Sequence, residues 1–170
     1  MDSSLKPDPL RKGSYFRRLE DIERALQKLE VDSLPSTMRF FVYYFSCEKI
    51  ARGIVGITSK LPATDAYHRS KRLKLIDIKN AAHTLSLKVT QEDLEWIFAD
   101  FRDQGILTPT NTGLTKSARY LRNMVTHDFG PFNVAEITKH APFHNPKMEK
   151  LLGCITTILE YQRLHFSEVK

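Results

Sequence analysis

The chain has 170 residues, 41% hydrophobic and 27% charged, with a net charge of +6 and an isoelectric point near 9.3. That length suits one domain with a proper core, that balance suits a soluble globular protein, and the chain shows no internal repeat and no low-complexity segment. The apolar run at residues 40–45 is too short to cross a bilayer and is followed by Glu48, Lys49 and Arg52.

Residues 1–13, with Pro7, Pro9 and Gly13, read as a disordered lead-in, and residues 14–170 as a single helical domain. The polar, proline-punctuated start carries no signal-peptide pattern. The two cysteines, Cys47 and Cys154, sit in apolar helical surroundings and read as core thiols of a reducing compartment. The expected address is the cytoplasm, with no membrane partner.

The first helix is expected over 14–31, where Phe16, Leu19, Ile22, Leu26 and Leu29 make one apolar stripe. Ser36, after Pro35, can cap a second helix reaching about residue 58. Its first half, MRFFVYYFSC, is apolar nearly all round and reads as the buried post of a bundle. Gly53 and Gly56 later in it mark a close crossing or fraying. A basic, proline-containing loop follows over 59–70. The third helix is expected over 73–87, with Leu75, Ile76, Ile78, Ala82 and Leu85 inward.

Thr90 caps a fourth helix, with Asp93 three residues on, and Gly105 ends it. The segment ILTPTNTGLT, residues 106–115, is a turn or a short β-ribbon. A fifth helix starts near Thr115, with Ala118, Leu121, Met124 and Val125 inward, and Gly130 and Pro131 break it. A short sixth helix is capped by Asn133. The last runs over 146–165, with the stripe Met148, Leu151, Leu152, Ile155, Ile158, Leu159 and Leu164. Strand signals are otherwise absent, so the expected fold is all-α, a bundle of about five to seven helices.

The chemistry concentrates in RYLRNMVTHDF, residues 119–129. Arg122, Asn123 and His127 bring a cation, an amide and an imidazole to one helix end. An imidazole suits proton abstraction from an RNA 2′-hydroxyl near neutral pH. A guanidinium can hold two oxygens of the forming phosphorane, and Asn123 can orient either group or bind phosphate. On an ideal helix Arg122 and His127 point about 140° apart. They can converge if the helix ends at the histidine or if two chains pool their groups on a two-fold axis. The bland alternative leaves Arg122 exposed or salt-bridged and His127 as a C-terminal helix cation.

The excess positive charge is uneven. Residues 60–79 hold Lys60, Arg69, Lys71, Arg72, Lys74 and Lys79 against Asp65 and Asp77, a net +4. This patch is either a solvated loop or a contact for a polyanion, RNA or DNA before membrane. Arg69, Lys71, Arg72 and Lys74, with Arg119 beside the cluster, are the candidate nucleic-acid-binding residues.

The stretch Arg122-Asn123-Met124-Val125-Thr126-His127 resembles the signature of the HEPN family (higher eukaryotes and prokaryotes nucleotide-binding), an arginine, then four to six residues of which the first is polar, then a histidine. YYFSCEKIARGIVG, with Glu48-Lys49, resembles the aromatic- and alanine-rich helix of many such proteins. The resemblance covers mainly residues 36–57 and 114–130, and the helix expected at 90–103 departs from it. It implies metal-independent RNA cleavage without a cofactor, by a homodimer with the motif at its interface, leaving a 2′,3′-cyclic phosphate. It also implies a toxin or antiviral defence protein with a possible antitoxin or regulatory protein partner. Glu48, an acid on a mostly buried helix, either pairs with Arg122 or points to solvent.

Other sites are poorer. His140 and His144 are four apart, but Pro142 between them is expected to spoil a shared face, so no metal site is expected. Glu92, Asp93 and Glu95 read as first-turn acids. Cys47 reads as an inert buried thiol, and His68 and His83 as surface or packing residues. The alternative function is a non-catalytic binding module, either HEPN-like or winged-helix-like over 76–120. In the latter, the recognition helix would be acidic, the wrong sign for a nucleic-acid groove.

Overall fold

The computed structural model describes residues 9–59, 72–100 and 116–166. Its regular structure is α1 (Pro9–Lys28), a 3-10 turn (Val31–Ser33), α2 (Ser36–Thr58), α3 (Leu75–Thr84), α4 (Gln91–Phe98), α5 (Ala118–His127), α6 (Pro131–Leu152) and α7 (Ile155–Phe166). The fold is all-α, with no strand among the described residues. The expected β-ribbon over 106–115 and the helix stop at Gly105 lie outside those residues. Among them no helix is long and apolar enough to cross a membrane.

The helices sort into two compact units, with the chain passing from one to the other within α2. The first takes α1, α2 from Glu48 onward, α3 and α7. Its core is Leu19, Ile50, Ala51, Ile54, Val55, Ile57, Leu75, Ile78, Ala82, Leu85, Cys154, Ile155 and Ile158. All-round burial is confined to Gly53–Ile57, late in α2. The first half, expected to be the buried post, leaves Met38 55% and Phe45 47% exposed. Gly53 faces Leu19, and a methyl group added there would sit 3.7 Å from the leucine Cδ2, an ordinary contact. Gly53→Ala is therefore expected to fit, and to stabilise the fold by about 0.5–1 kcal/mol through helix propensity alone. A lowered urea midpoint would mean that the glycine is needed for packing.

Local chemistry explains where the observed ends differ from the expected ones. α1 starts at Pro9, a residue tolerated at a first helical position, inside the stretch read as a lead-in. α3 stops at Thr84 because Leu87 N–H bonds Ala82 O and Ser86 N–H bonds His83 O, with Ser86 in the left-handed region at φ 52°. That pair of bonds is a Schellman cap, and it turns the chain so that Leu87 is buried. Ile76, expected inward, is 59% exposed, because α3 turns Leu75, Ile78, Ala81 and Ala82 to the core instead. Leu164, expected in the last stripe, is 69% exposed.

The second unit takes the 3-10 turn, α2 up to Cys47, α4, α5 and α6. Phe40, Tyr43, Tyr44, Cys47, Leu94, Trp96, Ile97, Phe98, Leu121, Val125, Ile137, Ala141, Met148 and Leu151 fill its core. The capping box on α4 forms as expected. Thr90 Oγ1 accepts from Asp93 N–H at 3.0 Å, and the Asp93 carboxylate accepts from Thr90 N–H at 3.5 Å.

The largest correction is α6. A short sixth helix and a separate last helix from residue 146 were expected, but one helix of 22 residues runs through Pro142 and Pro146. Each proline removes one backbone donor, leaving the carbonyls of Thr138 and Pro142 without a helical partner. Pro142, Pro146 and Thr138 are all exposed, so water can satisfy those carbonyls. Asn133 is not the cap. Gly130 is, and the Asn133 amide, one turn inside, donates back to Asp128 O. The chain breaks instead at Gly153, before α7.

Candidate functional site

α5 is positioned by its first turn. Ser117, fully buried, accepts from Tyr120 N–H through its hydroxyl oxygen and donates that hydroxyl to Ala99 O. Ala118, Leu121 and Val125 then face the core, while Met124, expected with them, is half-buried. Arg122 and Asn123 are half-buried on the flank, and Thr126 and His127 are exposed. The helix ends at His127, with Asp128 N–H bonding Met124 O.

Two of the three motif residues meet. Arg122 Nη1 donates to Asn123 Oδ1 at 2.9 Å. The Arg122 guanidinium also sits 5.4 Å from the centre of the Phe45 ring and 5.8 Å from that of Tyr44, within cation–π range. Amide and rings together hold a cation at a half-buried place with a fixed direction. His127 lies about 7.5 Å further along the axis and about 140° around. Within one copy, helix geometry does not bring it to Arg122.

The supporting residues divide. Glu48 accepts from Arg52 one turn on, with 15% of its side chain exposed, so its charge is met on α2 and not left to solvent. Arg72 and Lys74 are exposed and belong to the first unit. Arg69 and Lys71 lie outside the described residues, as does His68. Arg119, half-buried, donates to Phe98 O at 3.5 Å. His83 is exposed and Cys47 buried, its thiol 3.5 Å from Met148 O.

Sequence reasoning missed the buried polar groups of the second unit. Because α6 is continuous, His140 and His144 do share a face, both buried, with ring centres 6.5 Å apart. His144 Nε2 lies 2.9 Å from Lys116 O and must be the donor, since a carbonyl only accepts. His140 Nε2 lies 3.5 Å from Glu136 Oε2, which also meets Lys116 Nζ at 3.4 Å. No group of three or more His, Cys, Asp or Glu able to hold a metal occurs among the described residues. Asp93, only 3% exposed, meets Lys147 at 3.1 Å and Lys150 at 3.5 Å. Burial pushes its carboxyl up, but hydrogen bonds from Lys147 and Thr90 and the charges of both lysines outweigh this and hold it below its ordinary value.

α4 is also a poor recognition helix. Asp93, Leu94, Trp96, Ile97 and Phe98 are buried, which leaves little of it to enter a groove. The chain matches no protein-family model, no curated protein and no solved structure.

Proposed function

We propose that the protein is a HEPN-like endoribonuclease that cuts RNA without a metal, working as a homodimer in the cytoplasm. The observation that carries the reading is the Arg122 guanidinium, held by Asn123 and the Tyr44 and Phe45 rings, with an exposed imidazole five positions along the same helix. Arg122 and His127 diverge within one copy, so the working site joins Arg122 of one copy with the partner's His127. The imidazole takes the proton of the 2′-hydroxyl, and the 2′-oxygen attacks phosphorus. Arg122 stabilises the dianionic phosphorane, and the P–O5′ bond breaks, the 5′-oxygen taking a proton from water. The products are a 2′,3′-cyclic phosphate and a 5′-hydroxyl end. A toxin or defence role, with an antitoxin or regulatory partner, fits such an activity.

The test is incubation with end-labelled single-stranded RNA in excess chelator. Cleavage with cyclic phosphate ends, and resistance of the DNA of the same sequence, is the expected result. Salt-sensitive binding with no cleavage would replace this reading by the non-catalytic binding module.

A further inference from the structure

We propose that His144 and Lys116 form an acid-released latch that holds the start of α5 to α6, so that acid frees the helix carrying Arg122, Asn123 and His127 before the rest of its unit unfolds. The latch acts on α5 whatever chemistry that helix performs, and is independent of the RNA-cleaving reading.

Lys116 immediately precedes the Ser117 cap of α5, and α6 holds it twice. His144 Nε2 donates to Lys116 O at 2.9 Å, and Glu136 Oε2 meets Lys116 Nζ at 3.4 Å. The imidazole is fully buried and walled by Phe40 of α2, Trp96 of α4 and Phe143 of α6. Because Nε2 carries the proton given to Lys116 O, Nδ1 is bare, and it has no hydrogen-bond partner among the described residues. A second proton there makes a cation with an unmet donor in an apolar box.

The surrounding charges add to that penalty. His140 and Lys147 on α6 both repel a charge on the ring. The nearby acids are already engaged: Glu136 faces Lys116 and His140, and Asp93 of α4 is held by Lys147 and Lys150. The charged ring therefore gains solvation only by leaving the box. Phe40 and Trp96 are fully buried and Phe143 moves with α6, whereas 31% of the Lys116 side chain is exposed. The segment before α5 is the wall that opens with the least loss of buried apolar surface. Opening it ends the His144 bond to Lys116 O and leaves α5 tied there by Glu136 and by the Ser117 hydroxyl on Ala99 O.

The test is amide hydrogen exchange on the full chain between pH 6.5 and 4, with and without dilute urea. Tyr120 N–H bonds Ser117 Oγ and Leu121 N–H bonds Ser117 O, so these two amides report the start of α5. The amides of Tyr43 and Tyr44, inside α2, report unfolding of the whole unit. Protection of Tyr120 and Leu121 is expected to fall about ten-fold per pH unit, one proton being taken up per opening, and to respond little to urea. Tyr43 and Tyr44 should stay more protected and respond strongly to urea. His144→Gln, which cannot titrate, should remove the pH slope at Tyr120 and Leu121, whereas His140→Gln should keep most of it. Glu136→Gln should lower their protection at every pH with the slope unchanged. Equal protection and equal urea response in α5 and α2 would overturn the proposal, since acid would then unfold the unit as a whole. So would a parent whose α5 protection ignores pH, or a His144→Gln protein with the parent's slope.

Discussion

Lowering the pH from 6.5 to 4 is expected to weaken the fold by about 3 kcal/mol through His144 alone. Its ring is fully buried among Phe40, Trp96 and Phe143, with centres 6.3, 6.0 and 5.2 Å away. Nε2 donates to Lys116 O, and Nδ1 is buried with no hydrogen-bond partner among the described residues. A second proton would have to enter at Nδ1, where no described residue receives its hydrogen bond. Burial, reinforced by the charges of His140 and Lys147, pushes the imidazole down to about 3 against the hydrogen bond to Lys116 O. In the unfolded chain the same group protonates near 6.5. Between those values the unfolded state binds the extra proton, so the stabilisation is complete above pH 6.5 and is lost as the pH falls towards 3. His140 acts with the same sign, since burial lowers it more than Glu136 raises it. Asp93, held below its ordinary value, adds its own loss only below the ordinary carboxylate range, outside the window. His144→Gln keeps a donor for Lys116 O and cannot titrate. Urea midpoints of this variant should be lower at pH 7 but far flatter from 6.5 to 4. A parent whose midpoint ignores pH over that range, or a variant with the parent's slope, would show that water reaches the ring.

Removing the imidazole of His127 is expected to slow RNA cleavage by about 10²–10⁴-fold, the usual worth of a general base. Removing Arg122 should cost about 10²–10³-fold, the usual worth of one donor to a developing charge. The two substitutions differ in what else they do. His127 is exposed at the end of α5, so His127→Ala should leave the melting temperature within a degree or two. Arg122 lies over two rings, so Arg122→Ala should also cost about 0.5–1 kcal/mol of stability. Arg122→Lys should restore part of the stability and little of the rate, since an ammonium cannot grip two phosphorane oxygens in one plane. Rates read at equal folded fraction separate the two effects. Cleavage by either alanine variant at the parent rate would remove these side chains from the chemistry.

The helices were largely legible in the sequence because their apolar spacings and caps are local. Thr90 with Asp93 named the start of α4, and Ser117 and Gly130 mark boundaries that short-range chemistry decides. What failed was punctuation that only tertiary exposure can settle. Pro142 read as spoiling a helical face and Pro146 as the start of a new helix, yet both stand on the wet side of one continuous α6, where a lost backbone bond is cheap. The aromatic run at 40–45 read as all-round core, yet it needs Phe45 half in water to receive Arg122. The Arg122–Asn123 hydrogen bond joins sequence neighbours and was within reach of sequence reasoning. The rings beneath Arg122, the carbonyl that His144 bonds and the lysines that meet Asp93 come from segments 28 to 78 positions away, and no spacing rule reports such meetings.

The most direct check on the pooled site is to mix the two inactive chains. Arg122→Ala and His127→Ala proteins, unfolded together and refolded at equal amounts, should form mixed dimers as half of the population. Each mixed dimer keeps one intact Arg122–His127 pair across its two-fold axis, so roughly a quarter of the parent cleavage rate should return. A mixture that dimerises and remains as inactive as its components would show that arginine and histidine do not act across the two copies.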